Sequence, residues 1–334
     1  MLYSLLFLQF TIVTAIIVFA GTNLSKYGDI IAAKMGLGRT LIGMTLIAFV
    51  TSLPELITGV SSVVLDLPDI AAGDVLGSCM FNVVIIAILD STDRKFPISA
   101  RAQQGQVLGA AFGVAALGLV SIGIVAGRVI PAIGWIGLYS LALVGIYFVA
   151  VRLTFLYERR GIAELVEVMA EKVAHDEITR ARAFFIFGIN AVIIVGAAAY
   201  LPHLGESIAE VTGLGQTFVG NMFIALSTSL PELVVSIAAL RIGAVDIVFG
   251  NIFGSNLFNL LILAIDDAFY IQGPLLERIS AHHVISANGA MAMTAIAIVG
   301  LTYRAERKRL YFGWDSLGIV GVYVLTGLLL YAMR

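Results

Sequence analysis

Charge is what this sequence is shortest of. Asp, Glu, Lys and Arg make up 13% of its 334 residues, where soluble domains average about 25%. With 60% hydrophobic residues beside them, so few charges cannot cover the surface of a water-soluble globule, and the chain reads as an integral membrane protein. A single cysteine, Cys79, excludes an internal disulfide. Basic residues form no stripe, which argues against nucleic acid as a partner. The apolar stretches show no period-two alternation, so a transmembrane barrel is not expected. No small-residue cleavage site follows the first apolar run, which therefore reads as a first helix and not as a removable leader. No metal-binding His cluster, cofactor motif or protein-docking motif is evident, and no cofactor or protein partner is expected.

What is present is a series of apolar runs of about 20 residues, the length at which an α-helix crosses a bilayer. Ten spans are expected, at 3–33, 39–65, 70–90, 103–126, 131–155, 183–211, 216–240, 244–266, 281–303 and 313–333. Lys and Arg favour short cytoplasmic loops. With the N-terminus outside, 16 of the 20 basic residues fall inside, while Arg128, Arg278 and Arg334 fall outside beside Asp66, Asp69, Asp266, Asp267 and Glu277. A multi-pass protein of the cell (inner) membrane with both termini outside is the expectation. The polar connection 157–182 carries Ile162, Leu165, Val166, Met169 and Val173 at helical spacing, which suggests a linker helix lying on the cytoplasmic surface between halves 1–156 and 183–334.

The halves are copies. A shift of 177 residues aligns Gly36 and Gly38 with Gly213 and Gly215, Thr40 with Thr217 and Gly43 with Gly220, and 24 of the 55 pairs ending at Asp90 and Asp267 are identical. Each copy holds five spans, an odd number, so the second must cross the membrane with opposite orientation. The fold class expected is all-α, ten transmembrane helices as two inverted five-helix repeats. In inverted-repeat transporters the substrate site lies near the midplane, on helices that break there.

Two segments per copy carry polar chemistry. The first reads Ala48-Phe49-Val50-Thr51-Ser52-Leu53-Pro54-Glu55 and again Ala225-Leu226-Ser227-Thr228-Ser229-Leu230-Pro231-Glu232. A carboxylate at the bilayer centre costs at least ~2.5–3.5 kcal/mol, so Glu55 and Glu232 are functional candidates by default. On a helix Ala48, Thr51, Ser52 and Glu55 share one face, as do Ala225, Thr228, Ser229 and Glu232. Pro54 and Pro231 remove a backbone donor and clash with the carbonyls of Val50 and Ser227, freeing main-chain oxygens. The second segment runs Gly73 to Asn82 and again Gly250 to Asn259, placing Ser78 one turn from Asn82 and Ser255 one turn from Asn259. Carboxylates, amide carbonyls, hydroxyls and freed main-chain carbonyls make an all-oxygen set suited to hard cations such as calcium, and poorly suited to zinc or copper. Small residues and prolines also serve ordinary packing and kinks, which would account for Ser52, Ser229, Gly77 or Gly254 singly. It does not account for two glutamates duplicated with their context. Asp74 has no acidic counterpart, since Asn251 stands in its place; it either lines an access path or caps a helix.

At these residues the chain resembles the sodium/calcium exchanger family of the cation/calcium exchanger superfamily, and the resemblance extends over the whole ten-helix plan. It implies antiport of calcium against sodium by alternating access, a transporter and not an enzyme. Glu55 and Glu232 would bind calcium, Thr51 and Thr228 would lend main-chain carbonyls, and Ala48, Ser52, Ser78, Ala225, Ser229 and Ser255 would shape sodium sites. Asn82 and Asn259 would complete the centre. The chain departs from the family pattern at Val50 and Ser227 in place of Gly, at Asp74 and Cys79 in place of Asn, and at Asn259, which is Asp in many prokaryotic relatives. Its partners would be inorganic cations and the bilayer.

Calcium/proton exchange is the alternative, but proton-coupled relatives resemble a Gly-Asn-Ala-x-Glu pattern in place of Thr-Ser-Leu-Pro-Glu. An intramembrane aspartyl protease is a remote alternative suggested by Gly73-Asp74; Ala71 replaces the first Gly of that motif, and no Tyr-Asp partner lies in another span. The orientation is testable: a cysteine introduced beside Arg334 should react with an impermeant label from outside and one beside Arg160 should not, and the reverse pattern would invert the topology.

Overall fold

The computed structural model of the protein describes residues 2–34, 48–92, 96–169, 178–241, 243–305, 308 and 311–333. The first half comprises α1 (Leu2–Lys34), α2 (Leu53–Val64), α3 (Pro68–Asp90), α4 (Gln106–Ala126) and α5 (Leu138–Met169). The second comprises α6 (Arg180–Thr212), α7 (Gln216–Thr228), α8 (Leu230–Arg241), α9 (Val245–Phe269), α10 (His283–Tyr303) and α11 (Trp314–Ala332). A short hairpin pairs Ala132–Ile133 with Ile136–Gly137 ahead of α5. Among the described residues eight helices are long and apolar enough to cross a membrane, and nine if α7 and α8, bent by 43°, count as one span. The architecture is that of an all-α membrane protein built from two inverted repeats. The count of ten is not reached, because residues 39–47 of the expected second span lie outside the described residues; chain 48–51 is helical and leads into α2. Gly36, Gly38, Thr40 and Gly43 lie outside them as well.

Helix limits follow local chemistry. Pro68 opens α3 at a position where its missing N–H is no loss. Gly213, left-handed at φ 67°, closes α6 by donating to the Ala209 carbonyl. The two Pro-Glu segments kink alike: Ser52 has φ −85° and ψ 12°, Ser229 φ −89° and ψ 2°. The helical ladder runs up to each kink, with Ser52 N–H donating to Ala48 O at 3.0 Å and Ser229 N–H to Ala225 O at 3.1 Å, and resumes beyond it, with Leu56 N–H donating to Ser52 O at 3.1 Å and Leu233 N–H to Ser229 O at 3.4 Å. Each proline therefore bends the helix and leaves one carbonyl without its helical donor. Residues 157–169 continue α5 without a break, the stretch containing no proline; of the rest of the expected linker, 170–177 lie outside the described residues and 180–182 already open α6.

α3 and α9 run through the centre and are buried on nearly all sides, whereas α1, α5 and α6 keep most of their surface for lipid. α1 and α6 pack through Ile17, Ala20 and Leu24 against Ile194, Ala198 and Leu201. The repeats clasp each other at equivalent places. Asp69 accepts from Ser280 N–H at 2.6 Å, with His283 Nε2 3.0 Å away; 177 residues on, Asp246 accepts from Gln103 N–H at 2.7 Å. Asp90 accepts from the N–H groups of Ile98 and Gly313 and from Ser316 Oγ, and pairs with Lys308 at 2.7 Å. Asp267 likewise accepts from Gly137, Leu275, Tyr139 and Ser140. Asp266 and Asp267 thus correct the sequence expectation of outer-loop acids: α9 runs three residues further than expected, to Phe269, and both are fully buried.

The approach of α3 to α7 is set by glycine. A methyl on Gly73 would sit 2.9 Å from Gly220 Cα, and one on Gly77 would sit 2.6 Å from Ala225 Cβ and 2.7 Å from Asn221 Cα. Part of the opposing surface is a π-turn, Gly220–Ile224. Small residues here let the backbones touch, as membrane helices require. Gly77→Ala should lower stability by ~1–3 kcal/mol, the usual penalty of overpacking, read as a lower Tm of the purified protein. Gly145→Ala, whose methyl meets nothing within 4 Å, should leave Tm unchanged.

Candidate cation-binding site

The two kinks face each other across the centre, and their polar side chains pair between repeats. Ser52 Oγ donates to Glu232 Oε1 at 3.1 Å, and Ser229 Oγ donates to Glu55 Oε1 at 3.0 Å. Thr51 Oγ1 lies 3.5 Å from Ser255 Oγ, and Thr228 Oγ1 lies 3.4 Å from Ser78 Oγ. Each contact and its mate are related by the 177-residue shift, so a local two-fold axis passes through the site. Ser255 Oγ also reaches Glu232 Oε1 at 3.4 Å. All eight side chains are fully buried. The carbonyls of Ala48 and Ala225 accept from Thr51 and Thr228 at 3.2 Å each, and so belong to the same shell.

Several atoms in this network have no hydrogen-bond partner: the second carboxylate oxygens of Glu55 and Glu232, Asn82 Oδ1, and both amide atoms of Asn259. Asn82 Nδ2 is held by Asn256 Oδ1 at 3.1 Å, which leaves the Asn82 oxygen free to act. Asn256 in turn donates to the Cys79 carbonyl at 3.1 Å, and the Cys79 thiol faces the Asn256 carbonyl at 3.8 Å. Cys79 and Asn256 are repeat equivalents, so this departure from the family pattern is absorbed by contact with its own counterpart.

Asp74 is no helix cap. It lies well inside α3, fully buried, with Oδ1 accepting from Thr228 Oγ1 at 2.8 Å and Oδ2 unpartnered. Its counterpart Asn251 donates to the Glu232 carbonyl at 3.3 Å and to Ser236 Oγ at 3.1 Å. Val50 and Ser227, which replace the usual Gly, are both accommodated. Val50 packs in the α1–α6 cluster, and Ser227 Oγ bonds Phe223 O and Thr14.

Buried carboxylates here are of two kinds. Asp90 and Asp267 are saturated with donors and hold the helix ends. Glu55, Glu232 and Asp74 each keep an oxygen unsatisfied, and no ion pair of the described residues involves either glutamate. Leaving buried carboxylate oxygens unpaired costs several kcal/mol per ion, which a cation bound between them offsets. Among the described residues no three His, Cys, Asp or Glu side chains converge as a metal centre. A cation bound here would therefore take most of its coordination from hydroxyl, amide and main-chain oxygens, a set that suits hard cations. From the sequence Asp266 reads only as an outer-loop acid and not as a buried one; the sign available is that Leu89 occupies its place in the first repeat.

The sequence matches the model of the sodium/calcium exchanger protein family over residues 5–156 and 182–332. It is 29% identical over 253 residues to inner membrane protein YrbG of Escherichia coli, covering 74% of each chain. The structure resembles that of the sodium-calcium exchanger NCX_Mj soaked with sodium and strontium, at a TM-score of 0.60 and 18% identity over 96% of this chain and 98% of the other. It also resembles the H+/Ca2+ exchanger CAX at 0.68 and 14% identity, over 98% and 86%. Both structural likenesses establish the fold.

If the facing glutamates hold the cation, Glu55→Gln and Glu232→Gln should each abolish calcium binding measured by equilibrium dialysis, in protein that stays monodisperse. Ser52→Ala and Ser229→Ala remove one hydrogen bond to a charged group, worth ~1.5–3 kcal/mol, and should weaken binding roughly tenfold or more, with the smaller loss in Ser52→Ala because Glu232 keeps Ser255 at 3.4 Å. Near-normal binding in either glutamine variant would remove that residue from the site.

Proposed function

The chain belongs to the sodium/calcium exchanger protein family, and from that premise we propose that it is a secondary-active antiporter carrying calcium against sodium by alternating access, with the cation held between Glu55 and Glu232. That it is a membrane cation/calcium exchanger follows from the family. The choice of sodium as counter-ion and the residue roles are our reading. The observation that carries it is the reciprocal pair of buried glutamates, each held by a serine of the other repeat and each with one unpartnered oxygen.

The chemistry runs as follows. Two carboxylates in an apolar bundle repel each other and are desolvated; calcium between them brings the local charge to zero. An empty, doubly charged site is costly to carry from one side to the other, so the conformational change is favoured only with cations aboard, and this couples the two fluxes. Sodium carries half the charge and is held well by neutral oxygens. Ser52, Ser78, Ser229 and Ser255 and the carbonyls of Ala48 and Ala225 ring the glutamates as such donors, with Thr51 and Thr228 beside them. Asn82 and Asn259 contribute amide oxygens at the centre. Because each kinked helix belongs to a different repeat, rocking one repeat against the other opens the site to alternate sides. We place both termini outside, from the distribution of basic residues.

Proton-coupled calcium exchange is the second reading, favoured by the likeness in fold to CAX. The hydroxyl-rich Thr-Ser-Leu-Pro-Glu segments favour sodium, since a proton needs no coordination shell. The protease reading has no support in an exchanger family. Purified protein in liposomes, loaded with sodium and diluted into sodium-free medium, should take up calcium-45 faster than liposomes loaded with potassium. An imposed pH gradient should drive no comparable uptake; uptake driven by protons and indifferent to sodium would establish the second reading.

A further inference from the structure

We propose that Asp74 and Asp266 form a second cation-binding site, adjoining the central one and present in only one half of the pathway; this rests on the exchanger reading above. The inference starts from the internal symmetry. Glu55 and Glu232, Asp69 and Asp246, and Asp90 and Asp267 are acidic in both repeats. Three acids break the rule: Asp66 faces Gly243 in the alignment, Asp74 faces Asn251, and Asp266 faces Leu89. All three lie at one end of the molecule, since Asp66 is exposed beyond α2, bonded to Tyr270 at 3.0 Å just past α9, and Asp266 lies in the last turn of α9. The opposite half of the pathway has Gly, Asn and Leu in the corresponding places.

Asp266 is fully buried, and neither of its carboxylate oxygens has a hydrogen-bond partner. It occupies the notch left by Gly59: a methyl there would sit 2.5 Å and 2.7 Å from its two oxygens. Gly59 follows Glu55 by one helical turn on the same face of α2, so Asp266 lies about 6 Å further along the axis from the central glutamate. Asp74 likewise stands one helical turn out from the central network, four residues before Ser78 on α3 as Gly59 is four residues after Glu55 on α2, and it also keeps one oxygen unpartnered. The counterpart of Gly59 is Ser236, whose hydroxyl is taken by Asn251, so the other half has neither the notch nor the charge.

A proton does not satisfy this arrangement. A protonated carboxyl is a donor that needs an acceptor, and no hydrogen bond joins Asp266 to Asp74 or to anything else described. A hard divalent cation that keeps part of its water shell does satisfy it, with two carboxylates on one side and water on the other. The acids descend from exposed Asp66 through buried Asp266 and Asp74 to Glu55 and Glu232. On the orientation proposed above, the second site faces outside and loads the centre from there.

Strontium soaked into crystals of the full-length wild type should give two anomalous peaks, one between Glu55 and Glu232 and one between Asp74 and Asp266. In equilibrium dialysis with calcium-45, Asp266→Asn should lose one of two binding steps and keep the central one. Asp266→Leu, which installs the residue found at position 89, and Gly59→Ala, which crowds the carboxylate, should do the same. A single central strontium peak, or unchanged stoichiometry and affinity in a monodisperse Asp266 variant, would overturn the second site. If Glu55→Gln also left binding unchanged, the central assignment would fail with it; loss in Glu55→Gln with no effect at Asp266 would refute the second site alone.

Discussion

A carboxylate inside an apolar bundle must be compensated, and the structure is arranged around that requirement. Isolated burial of such a charge costs several kcal/mol even after relaxation. The chain meets this cost in two ways. Asp90 and Asp267 each receive main-chain N–H groups from both repeats and hydroxyls from the opposite one, with Lys308 added at Asp90. These bonds fix where the long central helices end and where α5 and α11 begin. Glu55 and Glu232 receive a single serine from the other repeat and a second, longer contact at Glu232, and the second oxygen of each has no hydrogen-bond partner. The first arrangement holds the frame, and the second leaves one oxygen of each glutamate unpartnered.

Duplication makes the second arrangement cheap to build. Because the serine–glutamate and threonine–serine contacts between the repeats each have a mate 177 residues away, one helix geometry serves twice and the polar side chains converge from opposite sides of a two-fold axis. The near-identical backbone at Ser52 and Ser229 shows how closely the copies agree. The proline two residues beyond each serine bends the helix without dissolving it, so the glutamate that follows is aimed inward by a defined kink. Close packing of α3 on α7 at Gly73 and Gly77 brings Ser78 within reach of Thr228. Where the symmetry is broken, at Asp74, Asp266 and Cys79, the departure carries the information. Cys79 is absorbed by Asn256, while the two acids remain unsatisfied.

The motifs themselves made much of this legible in advance. A glutamate after a proline in an apolar run has few structural uses, and its repetition in step with Ala, Thr, Ser and Leu marks both the duplication and the site. Span limits were readable because membrane helices must bury about 20 apolar residues, and α1, α3, α6 and α10 begin and end within a few residues of expectation. The fifth span was expected from 131, but the apolar stretch there forms the hairpin Ala132–Gly137 and α5 begins only at Leu138; the other limits that failed did so at polar residues. Asp266 and Asp267 read as loop acids because hydropathy assigns carboxylates to water, yet α9 carries them into the interior.

What the sequence alone determined was the class of molecule and the candidates for its ligating residues: low charge required a membrane, an odd number of spans per copy required inversion, and the duplicated Pro-Glu segments singled out the glutamates. Pairing was decided only by the tertiary structure. Nothing local says that Ser52 serves Glu232 and not Glu55, its neighbour three residues away, or that Thr228 holds Asp74. Nor does anything local separate Asp266, which has no partner, from Asp267, which has four. Adjacent residues on a helix point about 100° apart, so two neighbouring carboxylates meet different elements, and which element stands there is a property of the assembled bundle.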